Sequence, residues 1–448
     1  RQPGGKGLTE ALRVLIAAEH ASARFGGEAA LPLHYFRVMR KRGIPVWLVT
    51  HARTRDELAA LYPNDPNIVY IEDTAWHRAM WRIGQRLPDA ISYVTTGFLS
   101  RLSTQLAQRR IVKAMVREHR IDVVHQPMPV SPREPSMLYG FGVPVVIGPM
   151  NGGMDYPPAF RRQRGGVERW LLGAGRASAA LLNRLMPGKR RAATLLVANQ
   201  RTRDALPAGV CAHVVELVEN GVDLGVWRPP PAPPHGGASP DGITTFAFMG
   251  RLVDWKAVDL LLHAFARARQ HAPMRLWILG DGNERASLEA LARHLGLPTG
   301  PDAAAGAIEF AGWLPQPVCA ARLADADVLV LPSLLECGGA VVLEAMSLGK
   351  PVIATAWGGP LDYLDASCGV LVAPASRDAV VDGFEAAMVE LAASAQRRQR
   401  LGEQGLRKVE SDFDWELKVD GVLNVYRAAM QQRVPGAQRT AHERKPET

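Results

Sequence analysis

The chain is 448 residues long, about three times a typical domain, so two or three domains with a large apolar interior are expected. Apolar residues are 47% and charged residues 22%, an ordinary globular balance that excludes collagen-like, fibrous and wholly disordered chains. The net charge is +9 and unevenly placed: residues 1–220 hold 31 Lys and Arg against 17 Asp and Glu, and the remainder holds 22 against 27. A basic first half points to an anionic partner such as a membrane leaflet, a lipid phosphate or nucleic acid. No nucleic-acid-binding module is visible, so no nucleic acid partner is expected. Four scattered cysteines (Cys211, Cys319, Cys337, Cys368) with no C-x-x-C pair make neither a disulfide scaffold nor a zinc knuckle. Reduced thiols fit a cytoplasmic setting, or the inner face of a membrane. No apolar run reaches the ~18 residues of a membrane-spanning helix, and Arg1–Glu10 lacks the apolar segment of a signal peptide.

Taken in chain order, short apolar runs alternate with helical patterns. Leu12–Ala17, Val46–Thr50, Ile68–Ile71, Val123–His125, Val145–Gly148 and Leu195–Ala198 predict strands of a first half. The helix Ala29–Arg40 opens after Phe25-Gly26-Gly27-Glu28. Arg161–Arg191 holds nine basic residues and one acid, interleaved with Trp170, Leu181 and Leu185. It reads either as a basic amphipathic helix lying on a membrane or as a solvated helix with its apolar side on the core. Thr245–Met249, Leu276–Leu279, Ile308–Ala311, Val328–Leu331, Val352–Ala354 and Val370–Val372 predict strands of a second half. Helices are expected over Ala257–Gln270, Glu284–Leu295 and Ala340–Leu348. Alternation with continuously apolar strands means parallel sheets covered on both faces, and two such series mean two doubly wound α/β domains. Ligands then bind at the carboxyl ends of the strands. The domains are placed at 1–200 and 201–413, Arg228–Asp241 is an irregular Pro/Gly-rich loop, and 433–448 is a disordered tail.

The strongest site signal is Glu336-Cys337-Gly338-Gly339-Ala-Val-Val-Leu-Glu344, after a strand and opening a helix. The glycines admit a ligand to free helix amides, which bind phosphate. The two carboxylates, eight residues apart, suit paired hydroxyls of a sugar or ribose; alternatively they are an N-cap and a surface glutamate. In Phe246–Lys256, a strand and a glycine turn are followed by Arg251 and Lys256. These two cations would clamp a pyrophosphate and neutralise a departing nucleoside diphosphate, or else be solvated bases. Gly26 and Gly27 could border a phosphate or sugar. His125, ending a strand before Gln126-Pro127, is a hydrogen-bond donor to a sugar or a structural histidine. Asn151-Gly152-Gly153 could border an acceptor pocket or be a tight turn. Asp325-Ala-Asp327 reads as structural and not as a metal pair.

In this order, the glycine pair, the His125 element, Asn220–Asp223 (NGVD), the GRL…Lys256 element and the E-x7-E element resemble the retaining glycosyltransferases of family 4, with the GT-B fold. The resemblance covers about residues 10–430. It implies two Rossmann-like domains facing each other across a cleft, with the last helix, assigned to Asp414–Met430, crossing back to the first. The implied roles are Arg251 and Lys256 on the donor pyrophosphate, and Glu344 on the ribose. Glu336, with the amides of Cys337, Gly338 and Gly339, would hold the transferred hexose. Gly26 and Gly27 would lie beside the donor phosphate and sugar, and His125 near the reacting centre. The implied donor is a UDP- or GDP-linked sugar and the acceptor a saccharide or lipid-linked molecule, with no cofactor and no metal. Two residues depart from the family pattern: Ala257 stands where glycine is usual, and Cys337 where phenylalanine is common. A GT-B sugar phosphorylase, a nucleotide-sugar epimerase and a non-catalytic sugar-nucleotide-binding subunit stay open as alternatives.

Overall fold

The computed structural model describes residues 12–24, 27–87, 92–163, 181–228, 241–300 and 305–432. Among them, two sheets form, every pairing parallel. The first holds β1 (Val14–Ala17), β2 (Val46–His51), β3 (Ile68–Ile71), β4 (Val123–Gln126), β5 (Val145–Met150), β6 (Thr194–Val197) and β7 (Val214–Glu216), in the order β3-β2-β1-β4-β5-β6-β7. The second holds β8 (Thr244–Met249), β9 (Met274–Leu279), β10 (Ile308–Gly312), β11 (Val328–Leu331), β12 (Val352–Thr355) and β13 (Gly369–Val372), in the order β10-β9-β8-β11-β12-β13. The strands β1, β6, β11 and β12 are buried at every position. Helices cover both faces of such a sheet, so its strands are apolar throughout and do not alternate.

In each sheet the order reverses once. β1 lies between β2 and β4, and β8 between β9 and β11. The connections leaving two such neighbours part to opposite faces, which opens a crevice at their carboxyl ends. The helices used below are α1 (Gly27–Lys41), α2 (Ala75–Gly84), α3 (Phe98–Glu118), α4 (Val258–Ala268), α5 (Gln316–Asp325), α6 (Ala340–Ser347) and α7 (Trp415–Gln431).

The described chain divides into two compact units. The first takes in residues up to Gly153, from 181 to Glu219, and from Val419 onward; the second takes in 154–163 and Asn220–Lys418. The division therefore falls after Glu219 and not near residue 200. The cause is β7, a three-residue, mostly exposed strand that pairs with β6 and extends the first sheet. Residues 154–163 join the second unit because the Trp357 indole N–H donates to the Asp155 carbonyl at 2.8 Å and Met154 packs at Gly358. The tail 433–448, Gly26, residues 164–180 and residues 229–240 lie outside the described residues.

Candidate functional site

The second unit builds a rigid rim at the carboxyl ends of β9, β8, β11 and β12. The loop after β9 stacks backbone on backbone against the loop after β8. A Cβ at Gly280 would fall 1.9 Å from the Gly250 carbonyl oxygen, and one at Gly282 would fall 2.2 Å from that of Leu252. The loops after β11 and β12 are locked the same way: the Gly359 N–H donates to the Glu336 carbonyl at 2.7 Å, and a Cβ at Gly359 would lie 2.3 Å from the Gly338 carbonyl oxygen. Leu334 N–H donates to the Trp255 carbonyl at 2.9 Å, which joins the β8 loop to the β11 loop. Asp327 serves the opposite, amino edge, where its carboxylate accepts the Thr245 N–H at 2.7 Å; that is a structural role.

On this rim the predicted charges meet. Lys256 ends the short turn Asp254–Lys256, and its Nζ is ion-paired with Glu336 Oε2. Both side chains are mostly buried, so water screens the pair less than at an open surface. Ala257 follows at φ +50°, ψ +37°, the left-handed conformation that favours glycine by about 1–2 kcal/mol. Arg251 is exposed at the end of β8, with no ion-pair partner among the described residues. Gly339 takes φ +71° and caps α6 without any side-chain hydrogen bond to the first turn, so the leading amides of α6 remain open to an anion. A Cβ at Gly339 would press on Glu336 Cγ at 3.0 Å. Cys337, Gly338 and Gly339 are half-buried beside it.

Glu344 lies further along α6. Its carboxylate makes no hydrogen bond among the described residues, and burial pushes its pKa up to about 7. An acid so placed lacks the donors that would hold its charge, and a vicinal pair of hydroxyls would supply them. The sequence gives no hint of Ser333. Its hydroxyl is fully buried between β11 and Glu336, with no partner among the described residues.

The first unit departs from expectation at His125. The ring is fully buried. Nε2 lies 2.6 Å from the Gly148 carbonyl, which can only accept, so Nε2 carries the proton. Nδ1 then accepts the Tyr426 hydroxyl proton at 2.6 Å. Both nitrogens are engaged inside the unit, burial lowers the pKa to about 4, and the ring is not presented to a ligand. His125 is a structural residue that holds α7 on the first sheet. Tyr426→Phe would strand Nδ1 as a buried acceptor, and denaturant unfolding is expected to show a loss of about 1–3 kcal/mol.

The Asn151–Gly153 loop is also a structural turn. The Asn151 amide donates to Glu219, and its oxygen accepts from Arg201 and Thr202. A Cβ at Gly152 would meet Pro132 at 2.6 Å, and Gly153 takes φ +72° against Ala205. Gly27 is different: it opens α1 exposed, with nothing within 4 Å of an added Cβ. Lys189, counted with the basic stretch, is fully buried and donates to the Ser131 and Pro132 carbonyls, both at 2.9 Å. The sequence did not single out a polar group at the carboxyl ends of β1, β2 and β3. There Arg53 pairs with Asp73 at 3.0 Å, and His51 and His77 are buried 5.8 Å apart. Burial raises the pKa of neighbouring Glu19. Among the described residues no group of three or more His, Cys, Asp or Glu is placed to hold a metal ion.

Two doubly wound parallel sheets, the second with this rim, define the GT-B class of glycosyltransferase fold. Residues 236–408 match the family model "Glycosyl transferases group 1", so the second unit carries that family's domain. A lipopolysaccharide core biosynthesis glycosyltransferase, LpsE of Rhizobium meliloti (strain 1021), is 34% identical over 178 residues, 40% of this chain and 48% of the relative. A D-inositol 3-phosphate glycosyltransferase of Segniliparus rotundus is 33% identical over 232 residues, 48% of this chain and 47% of the relative. The chain thus spans about half the length of the curated relatives it matches. Anabaena HepE, solved in complex with UDP and glucose, shares the fold with a TM-score of 0.59 at 15% identity, covering 93% of this chain and 100% of HepE.

Proposed function

We propose that the chain is a retaining glycosyltransferase that moves a hexosyl group from a UDP- or GDP-linked sugar to a saccharide or lipid-linked acceptor, in bacterial polysaccharide or glycolipid synthesis. The carrying observation is the Lys256–Glu336 pair on the glycine-locked rim, beside the open amides of α6 and the unpartnered Glu344. In this reading the diphosphate sits on Arg251, Lys256 and the α6 amides, the ribose hydroxyls on Glu344, and the hexose on Glu336. UDP and glucose in HepE support a nucleotide-sugar donor. The relatives' names, a lipopolysaccharide core enzyme and an inositol phosphate enzyme, support polyol or glycolipid acceptors.

The acceptor hydroxyl attacks the face that the diphosphate leaves, so the anomeric configuration is retained. The departing phosphate oxygen takes the acceptor proton, and no protein base is needed. Negative charge grows on the leaving phosphate, where Arg251, Lys256 and the helix amides are already in place. These groups supply the positive charge, and the reaction needs neither metal nor cofactor. The partly exposed Arg53 and Asp73, at the ends of β2 and β3, supply hydrogen bonds for the acceptor. The basic first unit makes a peripheral contact with an anionic membrane at its cytoplasmic face. Incubation with UDP- and GDP-hexoses tests the reading: diphosphate release that depends on an added acceptor supports it. Epimerised donor without acceptor, or phosphate-dependent turnover without nucleotide, contradicts it.

A further inference from the structure

The basic stretch Arg161–Arg191 lies mostly outside the described residues, but another surface of the first unit has the chemistry of a lipid contact. Helix α2 buries one stripe, His77, Met80 and Gly84. Thr74 and His77 fix its start in a reciprocal capping box, and Gly84 sits against Ser92 and Thr96. The inner side of the helix is thereby held. Its other sides carry Trp76 at 48% exposure, Trp81 at 63% and Ile83 at 47%. Tryptophan is among the more buried residue types on average, and here two stand half out of the protein within six residues. Arg78, Arg82 and Arg86 are exposed on the outward side. The helix itself has no acidic residue. From Glu72 to Glu118 the sequence holds eight Lys and Arg against four acids, Glu72, Asp73, Asp89 and Glu118.

Indole rings flanking a row of guanidinium groups match one surface closely. Tryptophan settles at the boundary between headgroups and acyl chains, while arginine pairs with phosphate oxygens. We infer that α2 is the element through which the first unit docks on an anionic lipid bilayer, with Trp76 and Trp81 at headgroup level and Arg78 and Arg82 on lipid phosphates. The inference rests on the membrane contact proposed above and gives it a place in the fold. The absence of acid on the helix and the excess of base around it favour a phosphate surface over a second copy of this equally basic unit, which would repel it.

The test uses the full chain without donor or acceptor, with vesicles of phosphatidylcholine alone or mixed with phosphatidylglycerol. The variants are the doubles Trp76→Ser/Trp81→Ser and Arg78→Gln/Arg82→Gln; circular dichroism and thermal unfolding check that each folds. The wild type is expected to sediment with anionic vesicles only, and less so at high salt. The arginine double should bind about fivefold more weakly for each charge removed, and the tryptophan double should lose the blue-shifted fluorescence that accompanies binding. If both doubles bind anionic vesicles as tightly as the wild type, α2 is not the contact, although the membrane reading stands. If the wild type binds no vesicle, both fail. If the tryptophan double instead converts a lipid-free dimer into a monomer, the face pairs with a second copy and the inference is overturned.

Discussion

Lys256→Ala is expected to lower kcat by two to three decades while the fold survives. The ammonium sits on a rim of loops fixed by backbone-to-backbone glycine contacts. It therefore needs no rearrangement when negative charge develops on the leaving phosphate. Removing one preorganised group of this kind typically costs ~3–4 kcal/mol of transition-state stabilisation. The variant also leaves Glu336, only 12% exposed, without its partner. Glu336→Ala should therefore fall by a similar factor, and the double variant should be little worse than either single, because the pair acts as a unit. Lys256→Arg keeps the charge but not the point geometry and should recover only part of the rate. Steady-state kinetics, with circular dichroism as the folding check, measures all four. Full activity in either alanine variant would remove the pair from the site.

Glu344→Gln should separate stability from binding. Burial pushes the pKa of the folded carboxyl up to about 7 from a usual 4.5, so its charge is disfavoured. A raised acid pKa means stability is highest below the unfolded value, falls as pH rises from about 4.5 to about 7, and is flat above. The amide escapes this penalty. The apo variant should be more stable than the wild type by about 2–3 kcal/mol near pH 8, and the gain should shrink toward pH 5. Ligand binding moves the other way. Only the ionised carboxylate accepts from two ribose hydroxyls, so nucleoside binding to the wild type should weaken about tenfold between pH 8 and pH 6. The glutamine variant should bind weakly and show no such slope. Thermal unfolding and nucleoside titration across pH check both halves; a pH-independent wild type would exclude Glu344 from the ribose.

The strands were legible because parallel strands covered on both faces must be apolar throughout; Val328–Leu331 shows this in four residues. β7 was not, since an exposed edge strand of three residues leaves no such run, and the boundary moved with it. Site elements were legible where they are local, as with the eight-residue interval from Glu336 to Glu344. The ion pair of Lys256 with Glu336 spans 80 residues and exists only because β8 and β11 are neighbours. His125 misled for the same reason. Its strand-end position suggests a ligand contact, but Tyr426, 301 residues later, covers it. Lys189 belongs to a basic run in the sequence, yet its ammonium is buried on the Ser131 and Pro132 carbonyls, far along the chain from it. The helix α2 has no counterpart among the elements expected from the sequence, and the exposure of its tryptophans is a tertiary fact.

The second unit is expected to grip the donor diphosphate on the β8–β11 rim. A crystal structure of the chain with UDP or GDP tests it most directly. The phosphates should lie within hydrogen-bond reach of Lys256 Nζ, Arg251 and the amides from Gly338 into α6, with the ribose hydroxyls on the Glu344 carboxylate. A nucleotide bound elsewhere on the chain, with these three side chains turned from it, would overturn that placement.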